Sequence, residues 1–494
     1  MKNSLTPLMI GLEGPRADKT AVRRIQETGA VSILLLARNI ESPAQTRRLT
    51  AELQDKVGRP LLFAVDHEGG WVLRFSSGLT AFPGNAALGK AGDPKLARKV
   101  GERMASELSA LGIGLNLAPV LDVLGESYNP GIHIRSFGKT PELASEMGCA
   151  FIRGMQAGGV AACAKHFPGK GAAKQDAHLT LPTVALPRAE MMRRHVEPFR
   201  AAVRAGTLSL MSSHAVYPAL DPSRAPSTFS RRIMHGLLRK NLGFKGVSIS
   251  DDLCMGAVTE SRGIPESAVE SFLAGHDLLI VAHLPPAQLE AAEALRAALA
   301  EGRIPAEHWK ASLSRIERLL KRASPKPRAL PKPDDALALD ISRRAVELCR
   351  KGATPLPLPR DSKVAVLWPD LKEVRDRFTF EGSPQAAFAR LKSRILRKHP
   401  RAVFRTTPII SEKSLDPALK AARKAEVALF FCFEAMRFTG QMRTLKALRS
   451  ACPAKTAAIL MRNPWDLDLL KPETTAIHAY GYRDCQLQAL LEVL

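Results

Sequence analysis

Aromatic residues and long apolar runs are scarce in this chain of 494 residues, and each shortage excludes a class of protein. Aromatic residues make up 5% of the sequence, so the stacking platforms that bind single-stranded nucleic acid are few. No segment approaches the roughly 18 consecutive apolar residues of a membrane span. The first residues have neither the apolar core nor the small-residue cleavage site of a signal peptide. We therefore expect a cytoplasmic protein with no membrane partner.

Acidic residues are also few, 48 against 72 basic ones, which leaves a formal net charge of +24. Strong basicity attracts nucleic acids and other anionic polymers. The basic residues are dispersed through both halves of the chain, so we expect no nucleic-acid partner. A genome-wide bias toward arginine and lysine explains the charge equally well, and its use in binding anionic fragments stays open.

Cysteine pairs are missing as well. The seven cysteines are scattered, odd in number and never in a C-x-x-C arrangement. This pattern is typical of a reducing compartment and argues against structural zinc.

What the sequence does contain, up to about residue 320, is a regular alternation of short apolar runs and amphipathic helical stretches. Such alternation predicts a parallel sheet, and eight units in this length fit a closed (β/α)₈ barrel of the TIM type. A doubly wound open sheet is the alternative, but no G-x-G-x-x-G opens the first helix. The expected strands are 8–11, 31–37, 61–65, 114–123, 160–165, 208–213, 246–251 and 278–282.

A segment rich in proline and charge, 323–333, predicts a linker after the barrel. We expect a catalytic barrel over 1–322, a linker over 323–339 and a smaller α/β sandwich domain over 340–494. In the last of these, 340–350 and 384–398 are predicted helices, and 364–367, 427–433, 457–460 and 475–480 are predicted strands. No residue constellation there carries chemistry.

Polar side chains follow five of the predicted barrel strands. Because the carboxyl-terminal rim of such a barrel carries the chemistry, five cases indicate one pocket rather than chance. The residues are Asp66 and Glu68 after the third strand, Asp122 near the end of the fourth, Lys165 and His166 at the end of the fifth, Ser213 and His214 after the sixth, and Asp251 and Asp252 after the seventh.

The segment 165–178 has few large side chains and ends on Asp176 and His178. In an extended segment, residues two apart point to the same side, so Asp176 can hold the ring of His178. A carboxylate that orients and charges an imidazole makes a general acid/base near neutral pH. Its place on a loop suggests a catalyst that closes over its substrate.

Asp251 and Asp252 offer a second reactive group. Strand parity places them on opposite faces and does not decide which one faces the pocket, and Asp252 could instead cap a helix. A metal site is not expected, because Asp176 and His178 pair with each other and Lys165 adds positive charge. We expect no cofactor either.

Asp66, Arg74 and Arg135 are candidates for binding substrate hydroxyls and charged groups, although surface or structural ion pairs would explain any one of them alone. His133, His166 and His214 could equally be hydrogen-bonded structural histidines.

These motifs, in this order, resemble those of family 3 glycoside hydrolases, over roughly residues 5–320. The D-x-H loop resembles the β-N-acetylhexosaminidase branch of that family. The motifs are Asp66-x-Glu68-Gly69-Gly70-x-Val72-x-Arg74, Asn129-Pro130 with Arg135-Ser136-Phe137-Gly138, Lys165-His166-Phe167-Pro168-Gly169, Asp176-x-His178 and Ser250-Asp251-Asp252-Leu253.

The resemblance implies a retaining exo-β-N-acetylglucosaminidase that acts on an N-acetylglucosamine-containing glycoside or muropeptide in cell-wall recycling. Asp251 would be the nucleophile, and His178, paired with Asp176, the acid/base. The implied sugar-binding residues are Asp66, Arg74, Arg135, Lys165, His166 and His214.

Two positions depart from the family pattern, which usually has a second histidine at position 170 and commonly an arginine at position 71. Lys170 could alter loop closure or leaving-group preference, and Trp71 could stack on a sugar or simply be packed. The alternatives are a glycoside phosphorylase, a β-glucosidase and a catalytically silent carbohydrate-binding or scaffolding protein. The oligomeric state stays open.

Overall fold

The computed structural model describes residues 4–75, 77–125, 128–174, 181–259, 263–323, 325, 328–374, 384–462 and 464–494. Contacts within the chain define two compact units. The first contains Met1–Glu68, Leu73–Leu79 and Gly92–Pro333. The second contains Asp334–Leu494 together with two short segments from earlier in the chain, Gly69–Val72 and Thr80–Ala91.

The first unit is built on eight parallel strands in the order β7-β6-β5-β4-β3-β2-β1-β8. A parallel bridge between Ile249 and Leu278 links the two ends of this order, so the sheet curls into a nearly closed barrel. All eight predicted barrel strands are confirmed. They are β1 (Thr6–Gly11), β2 (Ala30–Leu35), β3 (Leu62–Val65), β4 (Leu115–Asn116), β5 (Ala161–Phe167), β6 (Ser209–Ser212), β7 (Val247–Ile249) and β8 (Leu279–Val281).

Helices connect the strands throughout the chain. The α-helices are α1 (Lys19–Thr28), α2 (Pro43–Val57), α3 (Asn85–Ala91), α4 (Pro94–Ala110), α5 (Pro141–Ala157), α6 (Arg188–Glu190), α7 (Glu197–Arg204), α8 (Gly256–Thr259), α9 (Ile264–Ala274), α10 (Pro285–Ala300), α11 (Ala306–Arg322), α12 (Asp335–Ala345), α13 (Pro384–Lys398), α14 (Asp416–Lys424), α15 (Thr439–Ala451) and α16 (Asp484–Val493). Two further stretches are π-helical, Met191–His195 and Arg232–Asn241. Short 3-10 turns occur at Ala37–Asn39, His133–Arg135, Ser227–Phe229, Leu371–Val374, Pro453–Lys455 and Pro464–Leu469.

Local sequence signals explain where these helices begin and end. The Ser42 hydroxyl accepts the N–H of Gln45 at 3.1 Å, and Pro43 stands at the first helical position, where an N–H would have no partner within the helix. The same helix ends at Gly58, whose φ of +69° suits glycine. Threonine followed by proline starts α5 in the same way.

Apolar side chains fill the barrel interior. Every residue of the eight strands is buried, and alternate residues of neighbouring strands share one core cluster, among them Met9, Ala64 and Cys163. Ile316 and Leu319 of α11 belong to the same cluster. Because the interior is packed, polar chemistry in this unit has to lie at the ends of the strands.

The fourth strand is much shorter than the predicted 114–123. Regular pairing stops at Asn116, and Pro119, which has no N–H to donate, follows shortly after. Pairing returns only as an isolated parallel bridge between Val120 and Lys165. The fifth strand, in contrast, continues to Phe167, so Lys165 and His166 are among its last three residues.

The second unit has a six-stranded sheet in the order β11-β10-β12-β13-β14-β9. All neighbouring strands are parallel except β9, which pairs antiparallel with β14. The strands are β9 (Glu347–Arg350), β10 (Val364–Pro369), β11 (Val403–Thr407), β12 (Val427–Cys432), β13 (Thr456–Leu460) and β14 (Thr475–His478).

Two edge strands of this sheet were not predicted. The predicted helix 340–350 is wrong in its second half, because α12 ends at Ala345 and 347–350 pairs with β14. The guanidinium of Arg350 binds the carbonyl oxygens of Leu467, Leu470 and Lys471 at 3.0–3.3 Å. Residues more than a hundred positions later in the chain therefore hold β9 in place. In β11 only Thr407 is buried, so an apolar run that would reveal the strand is missing.

Among the described helices, none combines the length and the apolar character needed to cross a membrane.

Candidate active site

Side chains at the ends of four barrel strands are linked to one another by direct contacts. Lys165 of β5 pairs with Asp66, which directly follows β3. Lys170, three residues after β5, lies beside Asp251, which follows β7. His214, after β6, contacts the main chain of Asp252. The predicted rim residues therefore share one region of the barrel.

A cluster of buried charges occupies the β3–β5 side of this region. The Lys165 ammonium is 2.7 Å from Asp66 Oδ1 and 2.6 Å from Glu68 Oε1. Arg135 donates to both carboxylate oxygens of Glu68, at 2.9 and 2.8 Å, and Arg74 lies 3.6 Å from Asp66 Oδ2. The side chains of Lys165 and Glu68 are each only 3% exposed. These five charged groups hold one another in place, and Lys165 and Glu68 are shielded from bulk water.

The charges of this cluster are stabilised in their ionised forms. Burial alone would raise the pKa of Glu68, but Arg135 and Lys165 outweigh it and lower the pKa to about 2. For Lys165, burial disfavours the ammonium, and the carboxylates of Asp66 and Glu68 reverse this and raise its pKa. The pKa of Arg135 is raised by Glu68 in the same way, against the effect of burial.

Glu68 was predicted to lie on the rim, but it was given no role in the site. It bridges Arg135 and Lys165 at the centre of the cluster. Its spacing of two from Asp66 was the available signal, because residues two apart on an extended segment share a side.

A second buried pair joins β5 to the segment after β4. The Asp122 carboxylate accepts the backbone N–H groups of His166 and Lys170, at 3.2 and 2.6 Å, and its Oδ2 lies 2.7 Å from Nδ1 of His166. Burial raises the pKa of Asp122 to about 6. Since Nδ1 is held by Asp122, the ring of His166 has one orientation, with Nε2 as its other functional atom.

The Asn129 side chain connects the loop after β4 to the loop after β5. Its amide donates to the carbonyl oxygens of Lys170 and Gly171 at 2.9 and 3.0 Å, and its own oxygen accepts the N–H groups of Gly131 and Ile132. Asn129 therefore ties the loop that carries Arg135 to the loop that carries Lys170.

The two aspartates after β7 have different surroundings. Asp252 Oδ1 accepts the N–H groups of Cys254 and Ala282, at 3.1 and 3.2 Å, and Oδ2 lies 3.7 Å from His283. Burial raises the pKa of Asp252. It does not cap α8, which begins only at Gly256. Asp252 therefore supports the local backbone on both sides of β8. Asp251 accepts the N–H of Asp252 through Oδ1 at 3.0 Å, and its Oδ2 lies 3.8 Å from the Lys170 ammonium, which makes it the candidate reactive carboxylate.

His214 is held at both ring nitrogens. Nδ1 lies 2.6 Å from the Thr228 hydroxyl and Nε2 2.9 Å from the Asp252 carbonyl oxygen. Burial lowers the pKa of His214 below its ordinary value, so the ring is neutral at pH 7. These two contacts show that His214 supports the main chain at Asp252.

Asp176 and His178, the predicted acid/base pair, lie outside the described residues.

Trp71 belongs to the second unit through its contacts. Its ring lies 4.7 Å from that of Tyr482 and 5.4 Å from that of Phe433, and the Arg462 guanidinium sits 4.6 Å from its centre. The side chain is packed among protein groups, and the residue is 8% exposed.

Within the described residues, no three His, Cys, Asp or Glu side chains are grouped to hold a metal ion.

The sequence of the first unit matches a known family over most of its length. The profile of the glycosyl hydrolase family 3 N terminal domain matches residues 8–319. The chain belongs to glycosyl hydrolase family 3. The matched residues include the strand ends that carry the charged rim residues described above.

Individual relatives in family 3 extend this result. A beta-hexosaminidase of Nitrosomonas eutropha is 35% identical over 287 residues, covering 57% of this chain and 82% of that protein. The structure of a family 3 β-N-acetylglucosaminidase from Paenibacillus sp. str. FPU-7 superposes with a TM-score of 0.91 at 33% identity, covering 98% of this chain and 94% of the other. NagZ from Neisseria gonorrhoeae, solved with N-trifluoroacetyl-D-glucosamine, has a TM-score of 0.53 at 32% identity, covering 65% of this chain and 99% of the other.

Proposed function

We propose that this glycoside hydrolase is a retaining exo-β-N-acetylglucosaminidase that releases terminal β-linked N-acetylglucosamine through a covalent glycosyl-enzyme. The observation that carries the proposal is that a carboxylate, Asp251 beside Lys170, and the ion cluster around Lys165 both lie at strand ends of the same barrel. The relatives named beta-hexosaminidase and β-N-acetylglucosaminidase support the substrate class.

In this proposal the ion cluster binds the terminal sugar. Asp66 and Arg74 carry charges at the edge of the cluster, 20% and 14% exposed, so they can exchange partners with sugar hydroxyls. Lys165, Arg135 and His166 complete the binding surface. Because Glu68 and Asp122 already fix these three, the sugar meets groups that need little reorganisation. His214 contributes by holding the strand end that carries Asp251.

The first chemical step is attack by an Asp251 carboxylate oxygen on the anomeric carbon. The bond from that carbon to the glycosidic oxygen breaks, and the departing oxygen takes a proton from His178, which Asp176 orients. A single carboxylate acting as nucleophile gives an ester between Asp251 and the sugar. A histidine supplies the proton near neutral pH without placing a second negative charge beside the nucleophile.

In the second step, water attacks the same carbon after His178 removes its proton. The ester bond breaks and returns Asp251 as a carboxylate, so two displacements at one carbon retain the β configuration.

For the natural substrate we propose muropeptides, in the cytoplasm. Muropeptides bear carboxylates, and the chain carries a net charge of +24 that would favour their approach. The seven cysteines are all free thiols, which accords with a reducing compartment.

Nitrophenyl glycosides test the proposal. The wild type should release nitrophenol from the β-N-acetylglucosaminide faster than from the β-glucoside, and Asp251→Asn should lose at least 10³-fold in kcat, because an amide is a poor nucleophile. Asp252→Asn is the matched control and should keep more activity, since its carboxylate serves the backbone. Full activity of Asp251→Asn would refute the nucleophile.

The same assay separates the other candidates. Preference for the β-glucoside would refute the substrate class. A sugar phosphate as product, formed only with phosphate present, would make the protein a phosphorylase. No turnover of any glycoside by the wild type would favour a binding protein. His178→Ala should slow release of natural sugars more than release of nitrophenol, because nitrophenolate needs little protonation to leave.

A further inference from the structure

The Lys170 ammonium is placed to act on the proposed nucleophile. Its Nζ lies 3.8 Å from Asp251 Oδ2, and the two side chains are only 9% and 16% exposed. An opposite charge at this distance and burial favours the ionised carboxylate, because water screens the interaction weakly.

The main chain on both sides of Lys170 is fixed by hydrogen bonds. Its N–H donates to Asp122 Oδ1 at 2.6 Å, and its carbonyl oxygen accepts from Asn129 at 2.9 Å and from the N–H of Ala173 at 3.0 Å. Gly169 before it donates its N–H to the His166 carbonyl oxygen at 2.8 Å. These hydrogen bonds fix the position of the backbone from which the Lys170 side chain extends toward Asp251.

Four other titratable groups lie near Asp251, and each of them is either engaged by other partners or uncharged. Asp252 is engaged by two backbone N–H groups, and the neutral ring of His214 is held at both nitrogens. Lys165 is committed to Asp66 and Glu68. The Cys163 thiol below the rim is buried, which raises its pKa to about 12 and keeps it uncharged. Among the described groups, Lys170 is the cation within ion-pair distance of Asp251.

We propose that the Lys170 ammonium keeps Asp251 ionised, and so able to attack, in acidic as well as neutral solution. The inference rests on the proposed function, because it assumes Asp251 as nucleophile.

The acidic limb of the profile of kcat/KM against pH tests this role, since it reports the protonation of groups in the free enzyme. Lys170→Met removes the charge, so the pKa of Asp251 rises and the acidic limb should move up by about one pH unit. Activity below that limb should fall about tenfold relative to the wild type, with a smaller loss at pH 7.

Two further variants distinguish the charge from the shape of lysine. Lys170→Arg keeps the charge, and Lys170→His is charged at the low pH where the limb lies, so both should keep the limb near its wild-type position. Lys310→Met, on the exposed surface of α11, is the matched control and should change neither limb nor rate. Thermal unfolding of each variant separates misfolding from an electrostatic effect.

Asp122 also feels the charge of Lys170, so its own titration has to be separated. The shift caused by Lys170→Met should persist in an Asp122→Asn background if it belongs to Asp251. An unchanged acidic limb in a folded Lys170→Met variant, or a shift that vanishes in that background, overturns the inference. Loss of activity in Asp251→Asn alongside an unchanged limb in Lys170→Met would leave the proposed function standing and remove only this role.

Discussion

Replacing Glu68 by glutamine removes one negative charge from the buried cluster while keeping the shape of the side chain. Arg135 would keep its bond to the carbonyl oxygen of Gly131 and one of its two bonds at position 68, because an amide has a single acceptor oxygen, and Lys165 would keep Asp66. Removing the compensating charge from buried cations is costly, about 3 kcal/mol or more.

The pKa of Glu68 gives a second route to this magnitude. The fall from an ordinary 4.5 to about 2 corresponds to roughly 3 kcal/mol of stabilisation at neutral pH, at about 1.4 kcal/mol for each pH unit. Because the pKa is lowered in the folded state, this stabilisation is present above pH 4.5 and is lost as the pH falls toward 2. At pH 3 less than half of it, roughly 1.4 kcal/mol, should remain.

Hydrogen exchange of the β5 amides in urea measures the effect, because exchange there reports opening of the strand that carries Lys165. Glu68→Gln should lower the free energy of opening by about 3 kcal/mol at pH 7 and by less than half of that at pH 3. Glu102→Gln is the control, since Glu102 pairs with Arg98 at 2.8 Å with side chains 44% and 57% exposed, and such a pair contributes well below 1 kcal/mol. Equal effects of the two variants, or a Glu68→Gln effect independent of pH, would refute the reasoning.

Two other substitutions test the roles assigned above. Asp122→Asn should reduce kcat/KM roughly 10- to 100-fold, because it weakens the bond that orients His166. Burial raises the pKa of Asp122 to about 6, so the wild type should gain stability relative to Asp122→Asn as the pH falls from 6 toward 4. A difference between the urea midpoints of the two proteins that stays constant over this pH range would contradict this. Trp71→Ala should destabilise the second unit by about 3–5 kcal/mol, with Trp71→Phe much milder. A raised KM in Trp71→Ala without loss of stability would show instead that the ring binds sugar.

Much of the barrel could be predicted because its signals are local. Each strand is a short apolar run, and each rim residue stands at the end of such a run, as Asp66 does after β3 and Asp251 after β7. The edge strands β9 and β11 escaped prediction because pairing partners far along the chain, rather than their own side chains, hold them in the sheet.

The candidate site was only partly predictable for the same reason. Parity of the strand leading into Asp251 and Asp252 could not separate the two, whereas backbone N–H groups from Cys254 and Ala282 do. Trp71 sits within a family motif, yet its neighbours Phe433, Arg462 and Tyr482 come from hundreds of residues away.

The sequence by itself determined the alternation that builds the barrel, the order of the motifs and the residues at the strand ends, because these depend on spacing along the chain. Tertiary structure alone decided which of those residues are buried together. Closing the barrel brings Lys165 to Asp66 and Glu68, nearly a hundred residues earlier, and removes water from between them. Charge pairing and burial of this kind set the ionisation of Glu68 and Asp122 and place Lys170 beside Asp251.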